Sequence, residues 1–162
     1  MRLMRIVLYT GLAAALGGAV AVGQRAFSPS AGNEPPTDSA RIFTLAELQS
    51  KIQGGQTGRL LEGHELFSLN LLHRTAEPAT VHGDLVDLYI VQEGSAALET
   101  GGRVLNPKPA DRPGDQTGSG ISGGNTQVVK KGDVVFIPPG VAHRFTGGDI
   151  WYLNAHFPGK KK

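Results

Sequence analysis

The stretch that most constrains the fold is Gly132–Phe145, which reads GDVVFIPPGVAHRF. Its apolar run Val134–Ile137 has the length and composition of a short buried strand. Gly132-Asp133 before the run and Pro138-Pro139-Gly140 after it are residues that favour turns. We therefore expect a strand, then a rigid turn, and then a second short run that begins at His143. A histidine held in this way is a candidate metal ligand, although a core or surface histidine explains it equally well when it is taken alone.

The composition favours short strands joined by many turns. The 162 residues include 23 Gly and 10 Pro, and 40% are hydrophobic, which is enough for one domain with a core. The net charge of +2 falls to zero without Arg2 and Arg5, because 16 basic residues less these two equal the 14 acidic residues. The charge balance gives no indication of nucleic-acid binding. The lack of cysteine excludes disulfides, thiolate metal ligands and a thiol nucleophile.

Residues 1–23 are predicted to be an export signal. A basic start with Arg2 and Arg5 is followed by residues 6–23, which are apolar and uncharged, and small residues near their end suit cleavage. The alternative is an uncleaved N-terminal membrane anchor, because this apolar stretch approaches the length of a membrane span. Its high Ala and Gly content makes it weakly hydrophobic. We therefore expect cleavage, no membrane attachment afterwards, and a periplasmic or secreted protein.

A short helix is predicted over roughly residues 45–53. Thr44 and Glu47 have the spacing of a capping box, and Gly54-Gly55 ends the pattern. Arg59–His73 then alternates in the manner of a strand.

Further strands and turns are predicted along the rest of the chain. The predicted strands are Leu88–Val91, Ala96–Leu98 and Ile150–Phe157, with turns at Glu93-Gly94 and Gly101-Gly102. Residues 106–127 are rich in Pro and Gly and are predicted to be a long hairpin insertion. The GSGISGG run inside this insertion lacks the Gly-Lys-Ser/Thr ending of a phosphate-binding loop.

The stretch Gly132–Phe145 resembles the second motif of the cupin family, which has the spacing G-x5-P-x-G-x2-H. Gly132, Pro138, Gly140 and His143 match this motif position for position. The family motif would place Asn four residues after the histidine, and this chain has Gly147 there.

The segment before Gly94 resembles the first cupin motif, G-x5-H-x-H-x3/4-E-x6-G. His82 falls on its second histidine, Asp87 on its glutamate and Gly94 on its last glycine. Thr80 stands where the first histidine is expected, and Arg74 stands where the opening glycine is expected. The first motif is therefore matched in part, whereas the second is matched closely.

The cupin resemblance implies an all-β fold over about residues 60–157. The expected architecture is a small antiparallel β-barrel, or double-stranded β-helix of the jelly-roll kind, preceded by the short helix. The chain is then predicted to divide into a signal peptide (1–23), a disordered linker (24–38), a helix with lead-in (39–58), the cupin barrel (59–158) and a basic tail (159–162).

The resemblance also implies a divalent metal ion held inside the barrel by His82, Asp87 and His143. Two imidazoles and one carboxylate suit Fe, Mn, Zn or Ni. His82 and Asp87 are five residues apart, so a flat strand would point them to opposite faces. Gly83-Asp84 permits a bend that would bring both side chains inward. Fewer ligands than the family motif provides also leave a barrel without metal as an alternative.

Two functions follow from this ligand set. Three protein ligands leave coordination positions for water or substrate, as a metal-dependent dioxygenase, isomerase or lyase acting on a small polar molecule requires. The alternative is a non-catalytic cupin that binds or senses a small molecule. Thr80 could hydrogen-bond a metal-bound water, and Tyr89 could line the cavity, although packing explains Tyr89 equally well. His156 could line the cavity too and is a candidate replacement ligand. Cupins commonly pair, so a homodimer through strands of the N-terminal part is expected.

Overall fold

A computed structural model of the protein describes residues 40–63 and 67–159. The predicted signal peptide and linker lie outside the described residues, as do the three lysines of the predicted tail. Within the described part, no helix is both long enough and apolar enough to cross a membrane.

The described residues form one helix followed by a series of mostly paired strands. The helix α1 comprises Leu45–Gln53. The strands are β1 (Gly58–Gly63), β2 (Phe67–Arg74), β3 (Ala79–Val81), β4 (Leu85–Thr100), β5 (Arg103–Leu105), β6 (Lys108–Pro109), β7 (Gln116–Gly118), β8 (Gly120–Ser122), β9 (Asn125–Lys130), β10 (Val134–Ile137) and β11 (His143–Pro158). The all-β class with a short N-terminal helix, predicted from the sequence, is confirmed.

Helix α1 begins with the predicted capping box. The backbone N–H of Glu47 donates to Thr44 Oγ1 at 3.2 Å, and the backbone N–H of Thr44 donates to Glu47 Oε2 at 2.8 Å. These two bonds satisfy donors that a helix start leaves unpaired. Leu48 is the buried residue of the helix and joins a cluster with Leu71 and Trp151, which fastens the helix to the sheet.

Two long strands, β4 and β11, form the centre of the barrel. They pair antiparallel over nearly their whole length. On the other edge of β11 lie β2 and then β1, and its first residue also pairs with β3, which continues to β7 and β6. The far edge of β4 pairs with β10 and β9. Because β4 and β11 run through both halves of the sheet, residues far apart along one strand can face a common interior.

Each long strand contains one extra residue that changes which side chains point inward. Phe145 and Gly147 of β11 pair with the consecutive residues Leu98 and Ala97 of β4. Thr146 is therefore an unpaired extra residue, a β-bulge in β11. The consecutive residues Trp151 and Tyr152 of β11 pair with Glu93 and Val91, so Gln92 is the extra residue of β4. Side chains alternate along a strand, so each bulge exchanges the inward and outward sets. Both halves of each strand can thereby present apolar residues to one core.

The inward side chains make a core that is continuous between the two halves of the long strands. Its buried members are Tyr89, Val91, Ala96, Leu98, Val129, Ile137, Phe145, Ile150 and Tyr152. Tyr89, Phe145 and Tyr152 pack against one another with tilted rings, whose centroids are 4.7–5.9 Å apart.

Several boundaries differ from the sequence prediction. Arg59–His73 is not one strand but the hairpin of β1 and β2. The turn predicted at Glu93-Gly94 is a bend inside continuous β4, where Gly94 adopts φ +77°. The last strand starts at His143 instead of Ile150. In each case the pairing partner decides the boundary, and local composition carries no information on it.

Candidate metal centre

The three residues predicted as ligands lie close together in the structure. His82 lies between β3 and β4, Asp87 lies on β4, and His143 is the first residue of β11. The Nε2 atoms of His82 and His143 are 3.8 and 3.7 Å from Asp87 Oδ2. One ligand atom from each residue lies within 4.8 Å of the other two. The bend expected at Gly83-Asp84 is present between β3 and β4.

The turn at Pro138-Pro139-Gly140 joins the two motifs by a hydrogen bond. Gly140 adopts φ +80°, a conformation that favours glycine, and its backbone N–H donates to the carbonyl of His82 at 2.7 Å. The corner residue Val141 donates to the carbonyl of Pro138. His143 follows two residues later, so the corner fixes its distance from His82.

Asp87 carries the feature that best indicates a bound cation. Its side chain is 2% exposed, and its Oδ2 has no hydrogen-bond partner. Buried carboxylate oxygens are normally paired, since an unpaired one is costly to remove from water. This oxygen faces the Nε2 atoms of two histidines. A divalent metal ion between the three atoms would satisfy the carboxylate and use both imidazoles.

The other ring nitrogens of the two histidines are held by acceptors. His143 Nδ1 lies 3.0 Å from the carbonyl oxygen of Val141, and His82 Nδ1 lies 2.6 Å from Asp115 Oδ2. In a neutral imidazole the nitrogen beside an acceptor carries the proton, so the lone pair is left on the other nitrogen. A lone pair on Nε2 of each ring is the tautomer that a metal ligand in this position needs.

The remaining oxygen of Asp87 is bound by the last strand. His156 lies opposite Asp87 in the pairing of β11 with β4, and its Nε2 is 2.6 Å from Asp87 Oδ1. The amide of Asn154 donates to the same oxygen at 3.4 Å. His156 is thus part of the centre, as the sequence allowed, but its Nε2 is committed to the carboxylate. Its contact fixes the carboxylate plane and leaves Oδ2 directed at the two ligand histidines.

Burial and charge set the protonation of these groups. Burial raises the pKa of Asp87, but the hydrogen bond from His156 and the neighbouring imidazoles outweigh it, so the pKa lies below its usual value. Burial lowers the pKa of His143, against the opposing effect of Asp87. An ionised carboxylate beside a neutral imidazole is the state in which both bind metal.

The residues of the centre differ in their exposure to solvent. The side chains of His82 and His156 are 17% and 25% exposed, whereas that of His143 is 4% exposed. Tyr89 is buried, and its ring centroid lies 6.3 Å from that of His143. Burial raises the pKa of Tyr89 well above its usual value, so its hydroxyl stays protonated. His82 and His156 are therefore the members of the centre that solvent reaches most readily.

Asp115 is the residue of the centre that the sequence analysis missed. It belongs to the insertion at 106–127, outside both motifs, and its side chain is 3% exposed. The only local signal is the Pro113-Gly114 pair before it, which predicts a turn but gives no indication of what the turn contacts.

No known protein-family model matches the chain. No curated protein matches it either.

Solved structures do resemble the chain at low sequence identity. The protein BH2720 of Bacillus halodurans has a TM-score of 0.52 at 17% identity, over 77% of this chain and 87% of that one. An uncharacterised Klebsiella pneumoniae protein with a double-stranded β-helix domain has a TM-score of 0.49 at 19% identity, over 76% and 95%. Hydroquinone 1,2-dioxygenase of Sphingomonas has a TM-score of 0.46 at 14% identity, over 60% and 62%. The likeness to BH2720 shows a shared fold and nothing further.

Proposed function

This chain has the fold of the cupin superfamily, and from that premise we propose that it is an exported protein that binds a divalent metal ion through His82, Asp87 and His143. The observation that carries the proposal is the buried, unpartnered Oδ2 of Asp87 facing two imidazole Nε2 atoms. Fold alone does not assign function, so the proposal depends on this arrangement of donors.

The donor set limits the metal to a few ions. Two imidazoles and one carboxylate suit Fe, Mn, Zn or Ni. With three protein ligands, the centre keeps positions for water and for a small polar molecule. A metal ion there would act as a Lewis acid toward an oxygen of that molecule. On this basis we propose a metal-dependent enzyme of the dioxygenase, isomerase or lyase kind.

A second function, binding or sensing of a small molecule without turnover, is favoured by one observation. His82, Asp87, Asp115, His143 and His156 are each already hydrogen-bonded or ion-paired within the protein. With a metal ion on His82, Asp87 and His143, neither Asp87 nor Asp115 would keep an unpaired carboxylate oxygen to act as a general base on a substrate. A non-catalytic module needs no such group.

The metal site is tested by measuring metal per subunit and affinity in competition with a chelator. We expect His82→Ala, Asp87→Ala and His143→Ala each to lose most of the metal, because each removes one of three protein ligands. His73→Ala is the matched control, because His73 stacks on Trp151 with ring centroids 4.5 Å apart and contacts Asp149 on the surface.

The outcomes separate the proposals. If the three ligand variants keep wild-type metal, the ligand assignment is wrong. If the wild-type protein binds none of the four metals at near-neutral pH, the enzyme proposal is abandoned in favour of the binding module. Redox-active iron in protein purified without added metal would support oxygen chemistry.

A further inference from the structure

We propose that Asp115 is a positioning residue that fixes the proton of His82 on Nδ1 and so keeps the Nε2 lone pair available to the metal. The inference rests on the proposed metal site. It assigns a role to the insertion at 106–127, a segment that lies outside both motifs.

The carboxylate of Asp115 contacts both a side chain and a backbone N–H of the bend before β4. Its Oδ2 lies 2.6 Å from His82 Nδ1, and its Oδ1 accepts a hydrogen bond from the backbone N–H of Gly83 at 2.9 Å. The side chain is 3% exposed, so solvent does not compete strongly for either bond. Two bonds from one carboxylate to adjacent residues fix both its position and its rotation.

A tight turn puts the carboxylate in this place. The backbone N–H of Asp115 donates to the carbonyl of Arg112 at 3.1 Å, with Pro113 and Gly114 between them. Gly114 has φ +87°, as the third residue of a type II turn requires. The turn rests directly on the bend, because a Cβ added at Gly83 would lie 2.7 Å from the carbonyl oxygen of Gly114.

The two contacts of the Asp115 carboxylate determine which nitrogen of a neutral His82 ring is protonated. The backbone N–H of Gly83 is a permanent donor, so the atom facing it must be an acceptor. A carboxylate also presents an acceptor to His82 Nδ1, and that nitrogen must then carry the ring proton. Nε2, which faces Asp87 Oδ2, is left with its lone pair.

An isosteric amide at position 115 would reverse this arrangement. In Asp115→Asn the amide oxygen must face the N–H of Gly83, which places the NH₂ group against His82 Nδ1. That nitrogen then has to accept, so the ring proton moves to Nε2, where it blocks metal binding. The substitution changes one atom of the side chain and the charge, while it preserves the shape of the turn.

The experiment reads the ring proton of His82 by ¹⁵N–¹H correlation spectroscopy on metal-free protein, at a pH where the ring is neutral. We expect Nδ1–H in the wild-type protein and Nε2–H in Asp115→Asn. The affinity for zinc, measured against a chelator, is expected to fall about 10- to 100-fold in the variant. Asp84→Asn is the matched control, because Asp84 is an exposed carboxylate in the same bend that pairs with Arg112.

The proposal is overturned if wild-type His82 carries its proton on Nε2, or if Asp115→Asn keeps both the wild-type tautomer and the wild-type zinc affinity. The wild-type spectrum decides the first point even if the variant does not fold. A wild-type protein that shows Nδ1–H but binds none of Fe, Mn, Zn and Ni would refute the proposed metal site and leave the assignment of the proton intact.

Discussion

Thr80 occupies the position where the cupin motif has its first histidine, and the structure shows what a histidine would meet there. Thr80 lies directly opposite His143 in the pairing of β3 with β11. Side chains of directly opposed residues project from the same face. Thr80→His should therefore add an imidazole beside His143 and bind metal more tightly. Thr126→His, on an exposed position of β9, is the control for a histidine added elsewhere. An unchanged metal affinity in Thr80→His would contradict the prediction.

His156 offers a second prediction, which separates a ligand from a residue that orients a ligand. His156→Ala removes the 2.6 Å contact with Asp87 Oδ1 but none of the three atoms that face one another. We expect metal affinity to fall about 10- to 100-fold, as for loss of an outer hydrogen bond, with stoichiometric binding retained at high metal concentration. Complete loss of metal, as expected for Asp87→Ala, would make His156 a ligand itself.

The residues of the centre differ in how far the sequence could predict them. His82, Asp87 and His143 could be predicted as ligands because two motifs carry them at fixed spacings. His156 was only a candidate, since its contact depends on the register of β11 against β4. Asp115 reaches His82 across 33 positions of sequence through a turn whose own composition says nothing about its neighbour. Contacts of this kind arise from tertiary packing and have no local signature.

At the scale of elements, Gly94 permits the bend that lets β4 serve both halves of the barrel. It has φ +77°, and a Cβ there would collide with the backbone carbonyl of Asp149. We expect Gly94→Ala to lower the free energy of unfolding by about 3 kcal/mol, from the left-handed backbone and the collision together. Gly147→Ala is the control, because nothing lies within 4 Å of its added Cβ. Urea unfolding of both variants measures the difference, and equal stabilities would contradict it.

The capping box of α1 gives a prediction independent of the barrel. Thr44→Ala removes the acceptor for the N–H of Glu47, so the free energy of unfolding should fall by about 1 kcal/mol. Thr44→Ser keeps a hydroxyl and should retain most of the stability. Chemical denaturation monitored by circular dichroism tests both, and a Thr44→Ala protein as stable as wild type would show that α1 adds little to the fold.

The elements themselves were predicted unevenly. The helix was found at its observed bounds, because caps and glycines are local signals. The long strands were predicted as fragments, since Gln92 and Thr146 interrupt the alternation on which strand prediction depends. The hairpin of β1 and β2 was predicted as one strand, because an alternating pattern does not show where the chain reverses.

At the scale of the whole molecule, the proposed export predicts that residues 1 to about 23 are absent from the mature protein in its native host. N-terminal sequencing of the native protein tests this. An intact Met1 in a membrane fraction would instead indicate the anchor.

The expected homodimer would form through an open edge of the β-sheet. β1 ends the main sheet, and an open edge strand can be covered by a second subunit. We expect light scattering at micromolar concentration to give the mass of two copies. Val134→Lys, on the exposed surface of edge strand β10, should leave that mass unchanged. A monomeric wild type would contradict the dimer, and a monomeric Val134→Lys would move the interface away from the N-terminal strands.

The bulge at Thr146 has a consequence for how this centre tolerates change. His143 and His156 are separated by an odd number of positions on one strand, so an unbroken β11 would turn them to opposite sides. The single surplus residue restores a common side for both. Thr146 is exposed and its side chain makes one long hydrogen bond, at 3.4 Å to the carbonyl of Ala97, so we expect its identity to matter less than its presence. Natural variation at this position should accordingly run freely through substitutions and avoid deletions, because one missing residue would turn His143 and His156 to opposite faces of the strand.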